Sequence, residues 1–182
     1  MGMDSRQVSR AVTAAGVLLL FGSACSAITV PAPVVPSDPS IGPCAGVTVV
    51  VDERATSRTG DRSSAEPRAT CAETDATITA QAAFIAANGP TITGTADSGS
   101  AVICRVDGTP NSNYAAAKPG GGIYFETCTS TPPEYAHWVL WHKGADKVWN
   151  KTGQDFTSLD VAPGDVVALV YTYRDEPSTP SF

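Results

Sequence analysis

The sequence predicts an α+β domain in which a curved sheet packs on one helix and two disulfides cross-link the chain. Three observations support this class. Short segments rich in β-branched and aromatic residues recur along the chain, separated by Gly, Pro and Asp turn signals. One segment repeats its apolar residues with helical spacing. Four of the five cysteines remain for pairing once Cys25, which follows an N-terminal leader, is assigned to lipid attachment.

The leader is residues 1–24, which have the organisation of an export signal. Arg6 and Arg10 precede a short apolar run, and small residues follow it. A run of this length is too short to cross a bilayer as a permanent helix. The segment is therefore assigned to targeting and excluded from the predicted fold, and the mature protein is expected outside the cytoplasm.

The end of the leader, "FGSAC" at Phe21–Cys25, resembles a bacterial lipobox, in which the cysteine is acylated and becomes the mature N-terminus. Gly22 stands where that motif usually has Leu. The predicted localisation is the cell membrane, reached through a lipid on Cys25 alone. The alternative is ordinary cleavage after Ala24 or Ala27, which predicts a secreted protein.

The four remaining cysteines are Cys44, Cys71, Cys104 and Cys128. None belongs to a C-x-x-C pair, so their spacing does not favour zinc, and no metal site is predicted. An oxidising compartment favours two disulfides instead. Three connectivities are possible, and nearest-neighbour pairing is preferred, which joins Cys44 to Cys71 and Cys104 to Cys128.

Between the leader and the domain, residues 25–45 are rich in proline and have no helical period, which is typical of a semi-extended spacer. Removing residues 1–24 takes away two arginines and one aspartate and changes the formal net charge from −6 to −7. Nucleic-acid binding and electrostatic attachment to a membrane both need clustered positive charge. Neither is predicted for this chain.

The first part of the domain is predicted to contain a strand, a loop and a helix. Gly46–Asp52 is β-branched and short, as a buried strand is. Residues 53–72 are polar and predict a loop. Thr74–Gly89 is the predicted helix, capped by Thr74 or Asp75 and stopped at a Gly-Pro pair. Its predicted apolar stripe is Ile78, Ala82 and Ile85.

The second part is predicted to consist of strands and turns. A Gly/Pro-rich excursion, residues 109–133, interrupts them and is either functional or loosely ordered. The predicted strands are Thr91–Thr95, Ala101–Gly108, His137–Lys143, Lys147–Gly153 and Val166–Tyr173. The domain so defined spans residues 46–174, and a polar tail, residues 175–182, follows it.

The segment "HWVLWHK" carries both histidines and two of the three tryptophans. Strand alternation places His137 and Trp141 on one face and Trp138 and His142 on the other. The two imidazoles therefore cannot form a metal pair. One interpretation puts one tryptophan in the core and the other over the sheet edge. The other is an aromatic platform for a flat ligand, with Trp149 contributing.

No catalytic motif is present in the sequence: G-x-S-x-G, H-E-x-x-H and the phosphate-binding glycine loops are all missing. "DSGS" at Asp97–Ser100 resembles the aspartic-protease motif, but a β-turn explains the same residues. The prediction is a protein that is not an enzyme.

Five segments together carry a resemblance to a known family: "GVTVVVD", "ITGTADSGSAVICRVDG", "CTSTPPEYAHWVLWH", "KVWNKTG" and "LDVAPGDVVALVY". They resemble the C-terminal domain of transcobalamin and its bacterial relatives, over roughly Val47–Tyr173. The resemblance implies a β-grasp-like fold and binding rather than catalysis. In transcobalamin this domain covers one side of a bound corrinoid together with a larger helical domain. Residues 26–74 could not encode such a partner.

The predicted function is therefore a lipid-anchored, non-catalytic binding module for a soluble ligand, with cobalamin or another tetrapyrrole as the ligand that the resemblance implies. No resident cofactor is predicted. The alternative is a cell-envelope protein-interaction or structural lipoprotein, associated with a transporter, for example. The predicted ligand-binding residues are Tyr135, His137, Trp138, Trp141, His142 and Trp149.

Overall fold

The computed structural model describes residues 43–56, 66–175, 179–180 and 182. The predicted signal peptide, Cys25 and the linker as far as residue 42 lie outside the described residues. Within those ranges the chain forms eleven strands and one α-helix, α1 (Ala80–Ala86). The strands are β1 (Val47–Asp52), β2 (Arg68–Ala72), β3 (Ile78–Thr79), β4 (Ile92–Thr95), β5 (Gly99–Val106), β6 (Ala115–Ala117), β7 (Ile123–Phe125), β8 (Ala136–Lys143), β9 (Trp149–Lys151), β10 (Asp160–Val161) and β11 (Val166–Tyr173).

Five strands form the central sheet, in the order β2-β1-β11-β8-β9. β1 and β11 pair in parallel at its centre, and the other three pairs are antiparallel. Both central strands are rich in Val because each is covered on two faces. Three further ladders, β3–β10, β4–β5 and β6–β7, lie outside this sheet. The predicted α+β class, mostly strands with one helix, is confirmed.

The front face of the sheet, which packs on α1, carries the main core. The hydroxyl of Thr79 caps the helix by accepting a hydrogen bond from the N–H of Ala82 at 3.2 Å. The helix residues buried against the sheet are Ala80, Ala83 and Phe84. The ring of Phe84 meets that of Phe156 edge-on, with 5.2 Å between the centroids. This contact fastens α1 to the turn before β10.

The predicted helix over Thr74–Gly89 is wrong in its start and in its buried stripe. Ile78 lies in β3, where it pairs with Val161 of β10, so the chain stays extended as far as Thr79. Ile85 is 72% exposed. The tertiary pairing of β3 overrides the helical spacing of the apolar residues, and the helix that follows buries a different face.

The predicted loop over residues 53–72 is also corrected, because its second half contains β2. This strand pairs antiparallel with β1 and forms an edge of the central sheet. Edge strands tolerate polar and charged side chains, which explains why the sequence "RATCA" gave no strand signal. Arg54–Thr56 form a 3-10 turn, and residues 57–65 lie outside the described part of the chain.

The excursion over residues 109–133 contains the hairpin β6–β7. Arg105 of β5 fastens this excursion: its Nε donates to the carbonyl of Pro110 at 2.9 Å and its Nη2 to the carbonyl of Glu126 at 2.8 Å. The hydroxyl of Tyr173 accepts from the N–H of Ala117 at 3.2 Å. The excursion is therefore an ordered layer attached to two strands.

Both predicted disulfides are present, Cys44–Cys71 and Cys104–Cys128. The first joins the residues before β1 to β2, and the second joins β5 to the end of the excursion. Disulfides persist in oxidising compartments, which supports the predicted location outside the cytoplasm. Among the described residues, no helix has the length and apolarity needed to cross a membrane.

Candidate functional site

The sheet ends at a concave feature, which we call the edge cleft, with a volume of about 210 Å³. It opens beside the N-terminal half of β8, where β9 no longer runs alongside. Its walls are Ala101–Ile103 of β5, Thr131–Pro132, His137–Leu140 of β8 and residues of the segment 151–156. The cleft thus brings β5 together with three stretches of the segment 131–156.

The floor of the edge cleft is apolar and held in place. Trp138 is only 7% exposed, and its indole Nε1–H donates to the carbonyl of Thr109 at 3.2 Å. Its ring meets Tyr171 edge-on at 5.4 Å. Phe156 is buried beside it and packs on the helix. The rim is polar, because Lys151 and Asp155 line it as exposed side chains.

His137 lines the cleft as a half-buried side chain. Its Nδ1 is enclosed by protein atoms and makes no hydrogen bond among the described residues. Burial lowers the pKa of His137 below its usual value, and the charge of Lys151 lowers it further. The backbone of Glu134 and the charges of Glu134 and Asp175 oppose this shift without cancelling it. At neutral pH the imidazole of His137 is therefore neutral.

This lowered pKa predicts a pH dependence of stability. The unfolded chain binds a proton at His137 as the pH falls through about 6.5, whereas the folded chain resists it until the pH is lower. The unfolded state therefore binds more protons in that window, and the free energy of unfolding should fall as the pH drops. We expect urea titrations at pH 7.5 and 5 to show a smaller loss for His137→Gln than for the unchanged chain. Equal losses would contradict this account.

The structure does not bring the six predicted ligand-binding residues together. His137 and Trp138 line the edge cleft. Tyr135 lines a separate open hollow beside the glycine loop Lys118–Gly122 and Arg174. Trp141 and Trp149 lie on the back face of the sheet, and His142 is engaged elsewhere. The predicted alternation along β8 is present, and it separates the two tryptophans.

The back face carries a second, smaller core of Val50, Val139, Trp141, Ala168 and Val170. Trp141 is 7% exposed, so its ring offers little surface to a ligand. Trp149 is partly covered: its ring meets Phe182 edge-on at 5.5 Å, and the ammonium of Lys143 lies 4.7 Å from the ring centroid. These two indoles form packing contacts rather than an open platform.

His142 pairs with an acidic side chain in a turn. Its Nε2 lies 2.9 Å from Oδ2 of Asp165, which also accepts the N–H of Ala162 at 2.9 Å. Gly164 in the same turn has φ +89°, a conformation that glycine adopts without strain. The pair therefore fastens the turn between β10 and β11 to β8.

One group of side chains with metal-ligand chemistry occurs among the described residues: Cys104, Glu126 and Cys128. Both sulfurs are used in the disulfide, so neither is a thiolate that could bind a metal. Glu126 is 3% exposed and accepts the hydroxyl of Tyr124 at 2.6 Å and the N–H of Cys128 at 2.7 Å. Burial and this hydrogen bond raise the pKa of Tyr124. The sequence analysis missed this buried carboxylate, because nothing in "YFETC" signals it.

The edge cleft is the candidate site because it combines an apolar floor with a polar rim. Comparison of the chain with protein-family models, with curated proteins and with solved structures found no match in any of the three.

Proposed function

We propose that this protein is a non-catalytic binding module that works outside the cytoplasm and takes a soluble ligand in the edge cleft. The observation that carries the proposal is a cleft that combines an apolar floor with a polar rim at Lys151 and Asp155. An apolar lining with a few polar groups around it is typical of small-molecule sites. The two cystines support the location.

The proposal includes a β-grasp fold of the transcobalamin C-terminal type. Support comes from the sheet order, in which the first and last strands lie side by side and parallel at the centre. The helix follows β3 and packs on one face of the central sheet. A curved sheet holding one helix is what the resemblance implies.

The size of the cleft bears on the ligand. Its volume of about 210 Å³ is below the roughly 300–1,000 Å³ that encloses a drug-sized ligand. Trp138 and Trp141 present almost no ring surface for stacking. Cobalamin or another tetrapyrrole, the ligand that the resemblance implies, could place only one edge in this cleft. A smaller soluble molecule fits the geometry better.

A non-catalytic role is consistent with how the acidic and basic groups are used. Asp165 is occupied by His142 and by a backbone N–H, and Glu126 by two donors. The buried carboxylate of Asp52 is held by Arg54, with Nε 2.9 Å from Oδ1. These contacts stabilise the fold and leave none of the three carboxylates poised over the cleft.

The second candidate is an envelope protein-interaction module, and the outward side of β7 favours it. Ile123 is 57% exposed and Phe125 is 48% exposed, and alternation puts both on one side of the strand. Large apolar side chains that share an exposed side are a feature of protein contacts. Lipid attachment at Cys25 is part of both proposals.

Native mass spectrometry of the protein purified from its own host tests the function and the anchor together. We expect a chain that begins at Cys25 with the added mass of acyl chains, and a retained small molecule. Thr131 is exposed at the cleft rim, so Thr131→Trp should block the cleft and lose the small molecule without altering the core. Ser130→Trp, one residue away and outside the lining, is the matched control.

Retention of the small molecule by Thr131→Trp would move the site away from the cleft. A retained protein subunit with no small molecule would favour the second candidate instead. A chain without the added mass of acyl chains would refute the lipid anchor and favour a secreted protein.

A further inference from the structure

We propose that the edge cleft is a strand-addition site: it binds a short extended peptide with small side chains, whose backbone pairs with the free edge of β8 at Trp138. This inference rests on the proposed binding function and narrows its ligand to one chemical class. It follows from the hydrogen-bonding directions of β8, the shape of the opposite wall and the volume of the cleft.

The free edge follows from the ladder between β8 and β9. These strands pair through Trp149–Lys151, and the N–H of Thr152 then donates to the carbonyl of Leu140 at 3.1 Å. In an antiparallel ladder the backbone groups of successive residues point to opposite neighbouring strands, so residues two apart point to the same one. The carbonyl of Leu140 points toward β9. The N–H and C=O of Trp138, two residues earlier, therefore point to that same side of β8.

At Trp138 that side is not occupied by a strand. In the described part of the chain, β8 pairs with β11 along its whole length but with β9 only over Trp141–Lys143. The edge cleft begins where β9 ends, and His137–Leu140 line it. A free strand edge that faces a cleft is the geometry in which an added peptide strand gains main-chain hydrogen bonds.

The opposite wall lies close to β8 and presents a small side chain, so only small side chains of a bound peptide fit beside it. It is formed by Ala101–Ile103 of β5, where the register with β4 shifts: Gly94 pairs with Ile103 and Thr95 with Gly99. This irregular stretch carries the small Ala101 into the cleft lining. Four strand residues of β8 span about 14 Å, so a peptide of about three or four residues matches the cleft.

The volume and chemistry favour a peptide over other small ligands. About 210 Å³ accommodates a short backbone with side chains such as those of Gly, Ala or Ser. A ligand without amide groups could fill that volume, but it would leave the N–H and C=O of Trp138 without partners in a largely apolar cleft.

The test uses the ¹⁵N-labelled full mature chain and two defined probes. The first is acetyl-Ala-Ala-Ala-amide, and the second is the same peptide with every backbone nitrogen methylated, which removes its donors and prevents strand pairing. We expect the first probe to shift the amide signals of Trp138, Leu140 and Ala101–Ile103. We also expect it to slow hydrogen exchange at the Trp138 amide. The methylated probe should bind at least tenfold more weakly.

Thr131→Trp should abolish binding of the first probe, and Ser130→Trp should leave it unchanged. Equal binding of the two probes, or amide shifts confined to regions outside the cleft, would overturn backbone pairing. If neither probe binds, but a small molecule is retained from the host and lost in Thr131→Trp, the peptide class is refuted and the binding function stands. If neither probe binds and nothing is retained, both proposals fail.

Discussion

Phe84→Ala is expected to lower the free energy of unfolding by about 3–5 kcal/mol, the range measured when a buried aromatic side chain is truncated. Phe84 is 2% exposed and is the largest side chain that α1 buries against the sheet. Its edge-on contact with Phe156 adds an aromatic pair that Ala cannot replace. A helix of seven residues has little stability of its own, so its attachment to the sheet depends on this contact.

The neighbouring residue supplies the control. Ile85→Ala removes a side chain that is 72% exposed on the same helix, and we expect a change within about 0.5 kcal/mol. Alanine also has the better helix propensity, so both variants carry the same small helical benefit. Urea unfolding followed by circular dichroism measures both values. A large loss for Ile85→Ala with a small loss for Phe84→Ala would show that the stripe expected from the sequence, and not the one in the structure, faces the core.

This pair of variants marks the point where sequence reasoning fails. The spacing of Ile78, Ala82 and Ile85 has helical periodicity. A local pattern of this kind cannot reveal that Ile78 pairs with β10, which is distant in the sequence. The long strands β1, β8 and β11 were predictable because each is a run of β-branched or aromatic residues bounded by turn residues. The short and polar strand β2 was not, since it is specified by its partner.

The candidate site was less predictable than the fold. Alternation correctly separated Trp138 from Trp141, but only the tertiary arrangement shows that both rings are buried. The edge cleft depends on where β9 stops and on the approach of β5, which no local pattern encodes. His137 was named for its residue type. Its position in the wall of the cleft is a property of the packed structure.

Removal of either disulfide is the second large effect that we expect. The cystines close loops with similar sequence separations, 27 and 24 residues. Removing either one frees the unfolded chain to a similar extent, which should lower the free energy of unfolding by about 3 kcal/mol. The two replacements, Cys44→Ala with Cys71→Ala and Cys104→Ala with Cys128→Ala, should nevertheless differ. The first bond ends on the edge strand β2, whereas the second lies beside a buried carboxylate.

The difference comes from Glu126, which depends on the N–H of Cys128 for one of its two hydrogen bonds. When the second disulfide is absent, the excursion loosens and this buried carboxylate loses a donor, which costs about a further 1–3 kcal/mol. Urea unfolding of both double variants should therefore show the larger loss for Cys104→Ala with Cys128→Ala.

A thermodynamic cycle isolates that contribution. Glu126→Gln keeps the size of the side chain but removes its charge, so the extra cost of losing the second disulfide should shrink in this background. The cost of losing the first disulfide should stay the same there, because that bond joins β2 to the residues before β1, whereas Glu126 is held by Tyr124 and Cys128. Equal losses for the two disulfides in both backgrounds would mean that the bonds act through the unfolded chain alone, and that the carboxylate is satisfied without the cystine beside it.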